Sequence, residues 1–391
     1  MKIFLLVLLF PVILLSQSGY GKVSGRILDE QTKLPVEGVN IFIANSLVGT
    51  SSNRNGYFEI DKIPPGRYNL IISHLSYENQ SISADIKKNK IFQVDLELHP
   101  KPIEFPEIDI SDLYDKEWQK NLEIFQESLF GSTWFAKGCE ILNPFTISFN
   151  KDKKGILYAE TNVPIEIENR SLGYIVNYYL EYFSYDYGTI KYSGHPYFEE
   201  MESDFDEDYD VCKNNRLEAY MGSLRHFLRP LATAYTLIKE KKDSVTILVD
   251  LDNVTEGGTK FIYDDSMFMR KNGFDAYLNE YYLGAGGRRT ISRIFYPDSI
   301  ITESTIENEL YLKTDKAIQI TYNKEYNDLN YQPQISMIKL HSDSVYFDKR
   351  GRYHDEFKLQ VFGYMARQRL SEMLPFEYEP SDSVLINTDF R

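Results

Sequence analysis

Three side chains in the second half of the sequence have the types and the spacing to bind an anion. Arg225, His226 and Arg229 lie within a stretch whose apolar residues recur at helical spacing. A guanidinium group binds a carboxylate or phosphate through two parallel hydrogen bonds, so this cluster is a candidate ligand-binding site. The alternative interpretation is structural, with these side chains paired to acidic neighbours on a sheet.

A second cluster is acidic and has carboxylates at alternate positions. Hard cations bind several oxygen atoms at once, so such a stretch is a candidate calcium loop. Tyr209 stands where a calcium loop of the EF-hand type needs glycine, and Asn215 stands where it needs a bidentate glutamate. The alternative is a solvated acidic loop without a metal. The candidate ligands are Asp204, Asp206, Asp208 and Asp210.

The chain has two cysteines, Cys139 and Cys212. In an oxidising compartment they could form a disulfide, which would stabilise the fold by about 4 kcal/mol because the closed loop is long. The alternative is a pair of buried thiols. Neither cysteine has a second cysteine or a histidine close by in sequence, so the pattern does not support a redox or metal site.

No established catalytic motif is present in the sequence. The six histidines lack the spacing of a helical zinc pair, and neither a Gly-x-Ser-x-Gly elbow nor a metallocarboxypeptidase-type His-x-x-Glu pair occurs. These absences favour a non-enzymatic protein. The alternative is a periplasmic hydrolase of peptides or glycans, with a site assembled from distant residues near Arg225–Arg229.

Composition and charge narrow the classes of partner. The chain has 391 residues, which exceeds the usual size of one domain, and 42% of them are hydrophobic. Its net charge of −15 argues against nucleic-acid binding, which requires clustered basic residues. The 30 tyrosines and 24 phenylalanines suit half-buried strands and interfaces.

The first 18 residues have the pattern of a signal peptide. Lys2 supplies the positive start, the apolar run Ile3–Leu15 follows, and small or polar residues come after it. The run is shorter than the roughly 20 apolar residues of a membrane span, and no later stretch approaches that length. We therefore expect an exported chain whose mature form has no transmembrane helix.

Residues 21–100 alternate between apolar and polar positions in short stretches separated by turn residues. Val23, Gly25 and Ile27 share one face of the first predicted strand, and Asn55-Gly56 is a strong hairpin signal. Short strands at this spacing predict an antiparallel β-sandwich. A proline-containing linker is predicted at residues 101–111.

The turn and strand motifs of this sandwich resemble those of the carboxypeptidase-regulatory-like domain. The resemblance implies a transthyretin-like β-sandwich without catalytic residues. Similar domains precede TonB-dependent receptors and many exported proteins of Gram-negative bacteria, which implies a periplasmic or outer-membrane-associated location. The motifs are Gly25-x-Ile27-x-Asp29, Leu34-Pro35-x-x-Gly38-Val39, Asn55-Gly56-x-Phe58 and Pro65-Gly66-x-Tyr68, and Ser76 replaces a common glycine.

Residues 112–391 form a second predicted unit of unknown function. Helices are predicted at 112–130 and at 215–240, the second kinked or split by Pro230, and strands fill most of the rest. The sequence thus predicts a mainly β protein, α+β overall, in which a seven-stranded-type β-sandwich precedes a larger antiparallel β-rich domain with two main helices. We expect it to bind an envelope protein or a glycan through a tyrosine-rich sheet.

Overall fold

The computed structural model describes residues 19–101, 116–202, 206–243, 269–270, 272–284, 287–293, 295–324, 334–353 and 358–388. The described chain confirms the predicted fold class. A β-sandwich is followed by a larger domain of antiparallel sheets and helices, called the β domain below. The predicted signal peptide and linker lie outside the described residues, except for Lys101, and stay predictions.

The sandwich consists of two four-stranded sheets. Strand β1 alternates strictly between buried and half-buried residues, as the apolar alternation predicts, and packs Val23 and Ile27 into the core. One sheet has the order β4-β1-β7, with β8 also on β1, and the other has the order β3-β2-β5-β6. The strands are β1 (Gly21–Asp29), β2 (Asn40–Ile43), β3 (Gly49–Ser51), β4 (Tyr57–Ile63), β5 (Gly66–His74), β6 (Tyr77–Ile86), β7 (Ile91–Gln93) and β8 (Leu96–Leu98).

Two predictions about the sandwich need correction. Strands β7 and β8 run parallel to β1, so the sandwich is not purely antiparallel. The Asn55-Gly56 turn does not close a hairpin, because β3 pairs with β2 while β4 pairs with β1 in the opposite sheet. Gly56 has a φ of 77°, and its carbonyl accepts a hydrogen bond from the Ile27 amide at 2.9 Å. The turn therefore carries the chain from one sheet to the other.

The β domain contains three antiparallel sheets around one continuous apolar core. In the first, β13 pairs with β14 on one edge and with β11 and β12 on the other. The second has the order β16-β15-β19-β20-β22, and the third β17-β18-β21. The strands are β9 (Cys139–Ile141), β10 (Ser148–Lys151), β11 (Leu157–Glu160), β12 (Ile165–Asn169), β13 (Tyr174–Asp186), β14 (Thr189–Glu200), β15 (Phe274–Gly284), β16 (Gly287–Arg293), β17 (Ile301–Glu303), β18 (Glu309–Leu312), β19 (Ala317–Tyr322), β20 (Gln334–Leu340), β21 (Val345–Asp348) and β22 (Leu359–Gly363).

Three long helices accompany these sheets: α1 (Lys116–Phe130), α2 (Asp206–Tyr220) and α3 (Leu224–Asp243). Among the described residues, short helices span Pro297–Ile300 and Asp382–Asn387, and four segments form 3₁₀ turns. The helical region predicted at 215–240 is helical apart from residues 221–223, but the prediction is wrong in two respects, since a helix already begins at Asp206 and the break comes at residues 221–223 and not at Pro230. Gly222 has a φ of 74° there, a conformation that ends a helix, whereas Pro230 lies inside α3.

The sandwich is docked directly on the β domain. Phe42, Ala44 and Ile71 of the sandwich pack against Tyr179 and Tyr197 of β13 and β14. Main-chain hydrogen bonds join the same surfaces. The Asn45 amide donates to the Pro196 carbonyl, and the Phe198 amide donates to the Ser46 carbonyl. The outer edge of β14 is thereby covered by the sandwich, which removes an exposed sheet edge.

Candidate functional site

The tyrosines of the β13–β14 hairpin divide into three groups by what they contact. Tyr174 and Tyr178 point into the core of the β domain and are buried. Tyr179 packs its ring 4.7 Å from that of Phe42 of the sandwich and is almost fully buried. Tyr182, by contrast, is 40% exposed. Much of the tyrosine-rich sheet is therefore occupied by the protein's own sandwich, and a smaller part faces solvent.

The solvent-facing part carries three aromatic side chains, called the tyrosine surface below and defined by Tyr158, Tyr182 and Tyr187. The rings of Tyr158 and Tyr182 meet edge to face with centroids 6.4 Å apart. Tyr187, at the hairpin tip, is 85% exposed. Its hydroxyl lies near Gly155 in the turn before β11. Exposed tyrosines offer apolar area and a hydrogen-bonding group together, as interface residues do.

The arginines that the sequence singles out hold the C-terminal segment 375–382. Arg225 donates hydrogen bonds to the backbone carbonyls of Pro375, Phe376 and Tyr378 at 2.7–2.9 Å. Arg229 donates to the carbonyl of residue 380 at 2.8 Å and to the Asp382 carboxylate at 2.6 Å. These donors hold the end of the described chain against helix α3. The arginines thus have a structural role, as in the alternative interpretation, but they bind mainly backbone carbonyls and not acidic side chains on a sheet.

His226, between these arginines in sequence, is fully buried and faces the core. Its Nδ1 accepts a hydrogen bond from the Gly222 amide at 3.0 Å, and its Nε2 has no hydrogen-bond partner among the described residues. The rings of Tyr220 and Phe274 lie against it. Burial, with Arg229 nearby, lowers the pKa of His226 to about 3. The imidazole is therefore neutral at physiological pH and is shielded from solvent.

A cavity of about 820 Å³ opens beside Arg225, between the two larger sheets of the β domain. The β13–β14 hairpin forms one wall and β22 the opposite wall, while the junction of α2 and α3 and the segment 365–376 close it. This volume lies in the range of small-molecule sites. Apolar and aromatic side chains dominate the lining, among them Tyr178, Ile190, Tyr192, Leu359, Val361 and Met365.

Three arginines also line this cavity, and they differ in what neutralises them. Arg352 forms a buried ion pair with Asp348, with a distance of 2.5 Å between its Nε and the carboxylate. Arg225 and Arg369 bind backbone carbonyls only, Arg369 reaching those of residues 127 and 128 at the end of α1. No carboxylate of the described chain forms an ion pair with Arg225 or Arg369. The cavity therefore has a positive electrostatic character.

The acidic side chain in the cavity lining is Glu372. It is 8% exposed, and Gln368 donates a hydrogen bond to its Oε2 at 3.0 Å. Burial raises the pKa of Glu372 to about 7, because a carboxylate loses its hydration in an apolar environment. Near neutral pH this group is therefore only partly ionised and offsets little of the positive charge of the arginines.

The acidic run that was a candidate calcium loop is helical over most of its length. Asp206, Asp208 and Asp210 lie at the start of α2, while Asp204 lies outside the described residues. The expectation of a loop is therefore wrong from residue 206 onwards. No group of three or more metal-binding side chains occurs in the part of the chain that the structure describes. A calcium site at these four aspartates stays a prediction.

Both cysteines are free thiols, located near the turn between β12 and β13. Cys139 lies opposite Asn169 in the sheet, and Cys212 contacts the carbonyl of Arg170 at 3.6 Å. Burial raises the pKa of the Cys139 thiol to about 12, so this group stays protonated. The structure thus contains no disulfide between them, and pairing in an oxidising compartment stays a prediction.

The sequence did not indicate Arg352, Arg369 or Glu372 as site residues. Each lies in a short irregular stretch with no periodicity: Arg352 follows strand β21, whereas Arg369 and Glu372 reach the cavity because the segment 363–376 crosses between the sheets. No local pattern marks such residues, since their partners are distant in sequence. Of the predicted ligand-binding residues, Arg225 alone lines the cavity.

Two general features of the described chain bear on its class. Within the described ranges, no helix has the length and apolar character needed to cross a membrane.

On the outer face of the hairpin, His195 and Ser193 both contact the Glu181 carboxylate, at 2.7 and 3.5 Å. The carboxylate stands between the hydroxyl and the imidazole, so this group lacks the serine–histidine contact of a nucleophilic site.

Comparison with known proteins locates a similarity in the N-terminal region. The family model of the CarboxypepD_reg-like domain matches residues 23–110. No curated protein matches the chain significantly. The match to the family extends through the segment predicted as a linker.

Solved structures match about a fifth of the chain. The major pilin subunit BcpA of Bacillus cereus is 18% identical over 21% of this chain and 30% of its own, with a TM-score of 0.20. A minor pilin of Streptococcus agalactiae is 19% identical over 22% of this chain and 46% of its own, with a TM-score of 0.19. The 5-hydroxyisourate hydrolase of Klebsiella pneumoniae is 20% identical over 21% of this chain and 92% of its own, with a TM-score of 0.18. This chain therefore spans less than half the length of the two pilins.

The family match and the geometry describe the same unit. The motifs that resemble the carboxypeptidase-regulatory-like domain form the two sheets of the sandwich, and the sandwich is seated on the β13–β14 hairpin. Residues 23–110 of this chain are a CarboxypepD_reg-like domain.

Proposed function

We propose that this protein is an exported, non-enzymatic component of a bacterial envelope that binds a protein or glycan partner through the tyrosine surface. The observation that carries the proposal is the division of the tyrosine-rich sheet. Tyr179 and Tyr197 hold the sandwich, whereas Tyr182 and Tyr187 are exposed and Tyr158 beside Tyr182 is half-buried. A periplasmic or outer-membrane-associated location in a Gram-negative bacterium is part of this proposal.

The docked sandwich supports a role in binding, because it fixes the position of the hairpin. Side-chain packing and main-chain hydrogen bonds both join the two domains, so the hairpin that carries the tyrosine surface is held along its edge. A surface held in place loses little conformational entropy when it binds a partner. Tyrosine is also common among the residues that dominate binding energies at interfaces.

Site-specific photocrosslinking in the intact envelope tests this proposal. A photoreactive phenylalanine analogue at position 182 should capture one reproducible partner, identified by mass spectrometry. The matched control carries the analogue at position 57, because Tyr57 is an exposed tyrosine of the sandwich, 52% accessible and away from the tyrosine surface. The same capture pattern at both positions, or no captured partner at position 182, would contradict the proposal.

A second measurement separates binding from proximity. Tyr182→Ala and Tyr187→Ala should each lower recovery of the captured partner about tenfold, since a tyrosine at the centre of an interface contributes about 2 kcal/mol. Tyr57→Ala should leave recovery unchanged. Because Tyr182 and Tyr187 are exposed, we expect these substitutions to alter the free energy of unfolding by less than about 0.5 kcal/mol.

A further inference from the structure

The cavity between the sheets of the β domain has a lining with two parts of different chemistry. Tyr178 and Tyr192 on one wall and Leu359 and Val361 on the other supply an apolar region. Met365 lies beside them and adapts easily to ligand shape, because its side chain is unbranched and polarizable. This part of the cavity suits the apolar body of a small molecule.

The second part of the lining is cationic. Arg225 and Arg369 bind only carbonyl oxygens, and a carbonyl dipole compensates a buried charge less completely than a carboxylate does. Asp348 already forms a short ion pair with Arg352, so that carboxylate is committed to another arginine. An anionic group in the cavity would therefore gain a favourable interaction with Arg225.

Arg225 also has a donor that no hydrogen bond satisfies. Its terminal nitrogens bind the carbonyls of Pro375, Phe376 and Tyr378, whereas its Nε is buried and has no hydrogen-bond partner in the described chain. A buried donor without an acceptor costs about 1–3 kcal/mol. Such groups are rare in folded proteins and call for an explanation such as a bound ligand.

We propose that this cavity binds a small amphipathic carboxylate, with the carboxylate at Arg225 and the apolar body between the hairpin β13–β14 and strand β22. The Arg225 side chain lines the cavity and no carboxylate of the described chain forms an ion pair with it, while the apolar walls disfavour a purely polar anion. The inference is independent of the tyrosine surface, which lies on the outer face of the same sheet.

Calorimetric titration of the purified, delipidated mature chain tests the proposal with dodecanoate as the probe. Dodecanoate, below its micellar concentration, should bind with a dissociation constant at or below about 100 μM. Dodecanol and dodecyltrimethylammonium have the same chain without the anionic head and should bind at least about tenfold more weakly. Equal binding of the three probes, or no binding of dodecanoate at about 1 mM, would overturn the proposal.

Two substitutions locate the binding in this cavity. Val361→Trp fills the apolar part of the cavity without removing any of the hydrogen bonds that Arg225 donates to the segment 375–382. It should weaken dodecanoate binding at least about tenfold. The matched control is Val211→Trp, because Val211 is 56% exposed on α2 and outside the lining. If Val361→Trp binds as the unaltered chain does, or if Val211→Trp loses binding equally, the site is not this cavity.

Arg225→Lys tests the head group separately. A lysine keeps the positive charge but lacks the Nε donor and the planar fork, so the preference for dodecanoate over dodecanol should shrink while binding of dodecanol stays the same. Circular dichroism and the urea midpoint of the variant are measured alongside. A folded Arg225→Lys chain that keeps the full preference would overturn the role of Arg225, and Val361→Trp still decides the site if that chain does not fold.

Discussion

The sandwich and the β domain differ in how they satisfy their buried polar groups. In the sandwich, the Asp29 carboxylate accepts hydrogen bonds from Thr32, Gln31 and Tyr77, and the buried Ser52 hydroxyl donates to the Val36 carbonyl. The β domain leaves buried atoms such as Arg225 Nε and His226 Nε2 without hydrogen-bond partners among the described residues. Among residues 19–101, all of which the structure describes, the corresponding atom is Arg67 Nε, close to Glu309 of the β domain.

Nearly all buried polar side-chain atoms of the sandwich have a hydrogen-bond partner, whereas several in the β domain have none among the described residues. Apart from Arg67 Nε, the buried side-chain polar atoms of the sandwich have hydrogen-bond partners, so the sandwich can be attached to different domains with little internal change. Unsatisfied buried groups cost stability, so their concentration in the β domain indicates where the chain gives up stability for another purpose. The comparison therefore directs experiments on activity to the β domain and experiments on assembly to the interface.

The largest expected effect comes from the buried ion pair at the interface. Arg352 binds Asp348 and contacts the Tyr68 hydroxyl of the sandwich at 3.3 Å. Burial lowers the pKa of Arg352, but Asp348 and Tyr68 together raise it above its ordinary value. Arg352→Leu should lower the free energy of unfolding by about 4 kcal/mol, because Asp348 is left buried and unpaired. Urea denaturation measures this change.

The neighbouring exposed arginine provides the control for that substitution. Arg350→Leu removes a side chain that is 40% exposed, and it should cost less than about 0.5 kcal/mol. The double variant Asp348→Asn/Arg352→Leu should regain part of the loss. If Arg352→Leu and Arg350→Leu have equal effects, the ion pair does not join the two domains energetically.

The apolar contact between the domains gives the next effect. Phe42 is 2% exposed and packs on Tyr179 and Tyr197. Phe42→Ala should lower the free energy of unfolding by about 3 kcal/mol and separate one thermal transition into two, since the sandwich has a core of its own. Differential scanning calorimetry detects the separation. Tyr57→Ala, an exposed position on the same sandwich, should leave the transition intact.

The pH dependence of stability should reveal the buried carboxyl of the β domain. The pKa of Glu372 is raised to about 7 from 4.5, so the folded state holds the proton more tightly than the unfolded state. The stabilisation of the folded state by the protonated Glu372 carboxyl is therefore complete below pH 4.5. It is lost as the pH rises to 7, which lowers the free energy of unfolding by about 3 kcal/mol. Glu372→Gln should flatten this part of the stability profile, measured by urea denaturation across pH.

The contribution of His226 to stability depends on pH in the opposite direction and provides an internal check. Its pKa of about 3 lies below the ordinary 6.5, so its contribution is complete above pH 6.5 and is lost as the pH falls toward 3. The Glu372→Gln variant should keep this acid-side loss of stability. A profile that is unchanged in Glu372→Gln would show that Glu372 titrates normally.

The smallest expected effect compares one glycine from each region. Gly56 and Gly188 both have a positive φ, but a Cβ on Gly56 would lie 2.4 Å from the Ile27 carbonyl oxygen, while a Cβ on Gly188 would meet nothing within 4 Å. Gly56→Ala should cost about 2 kcal/mol and Gly188→Ala about 1 kcal/mol. Equal losses in thermal or urea unfolding would mean that the turn in the sandwich relaxes as freely as the hairpin tip.

Local pattern predicted the elements well and their partners poorly. The alternation of β1 and the helix that forms α1 are confirmed, because each depends only on residues within one element. The sequence pattern correctly locates a turn at Gly56 but predicts a hairpin there, since four turn residues do not indicate which sheet receives the next strand. The helical start of α2 at Asp206 was missed, because a run of aspartates disfavours a helix in isolation.

The candidate site was only partly predictable for the same reason. Arg225 was identified from its place in a helical stretch, but its partners come from residues about 150 positions later. The cavity itself depends on the relative position of two sheets and an irregular segment. Such an arrangement is set by long-range packing, which no periodicity in the sequence records.

The inserted position of Phe376 sets the order in which the molecule can assemble. Its side chain joins the core of the sandwich, its amide donates to the Asn45 carbonyl, and Glu377 accepts from the Leu47 amide 330 residues earlier. Domains fold as they are synthesised, beginning at the N-terminus, so the sandwich can form while most of the chain is still missing. Its attachment is completed only after residue 376 has emerged. A chain interrupted before that point would leave the part of the sandwich core that Phe376 covers open to solvent, and such exposed apolar surface is what proteases and chaperones recognise. The insertion of Phe376 thus makes completion of the sandwich core depend on a residue more than 270 positions after the last strand of the sandwich.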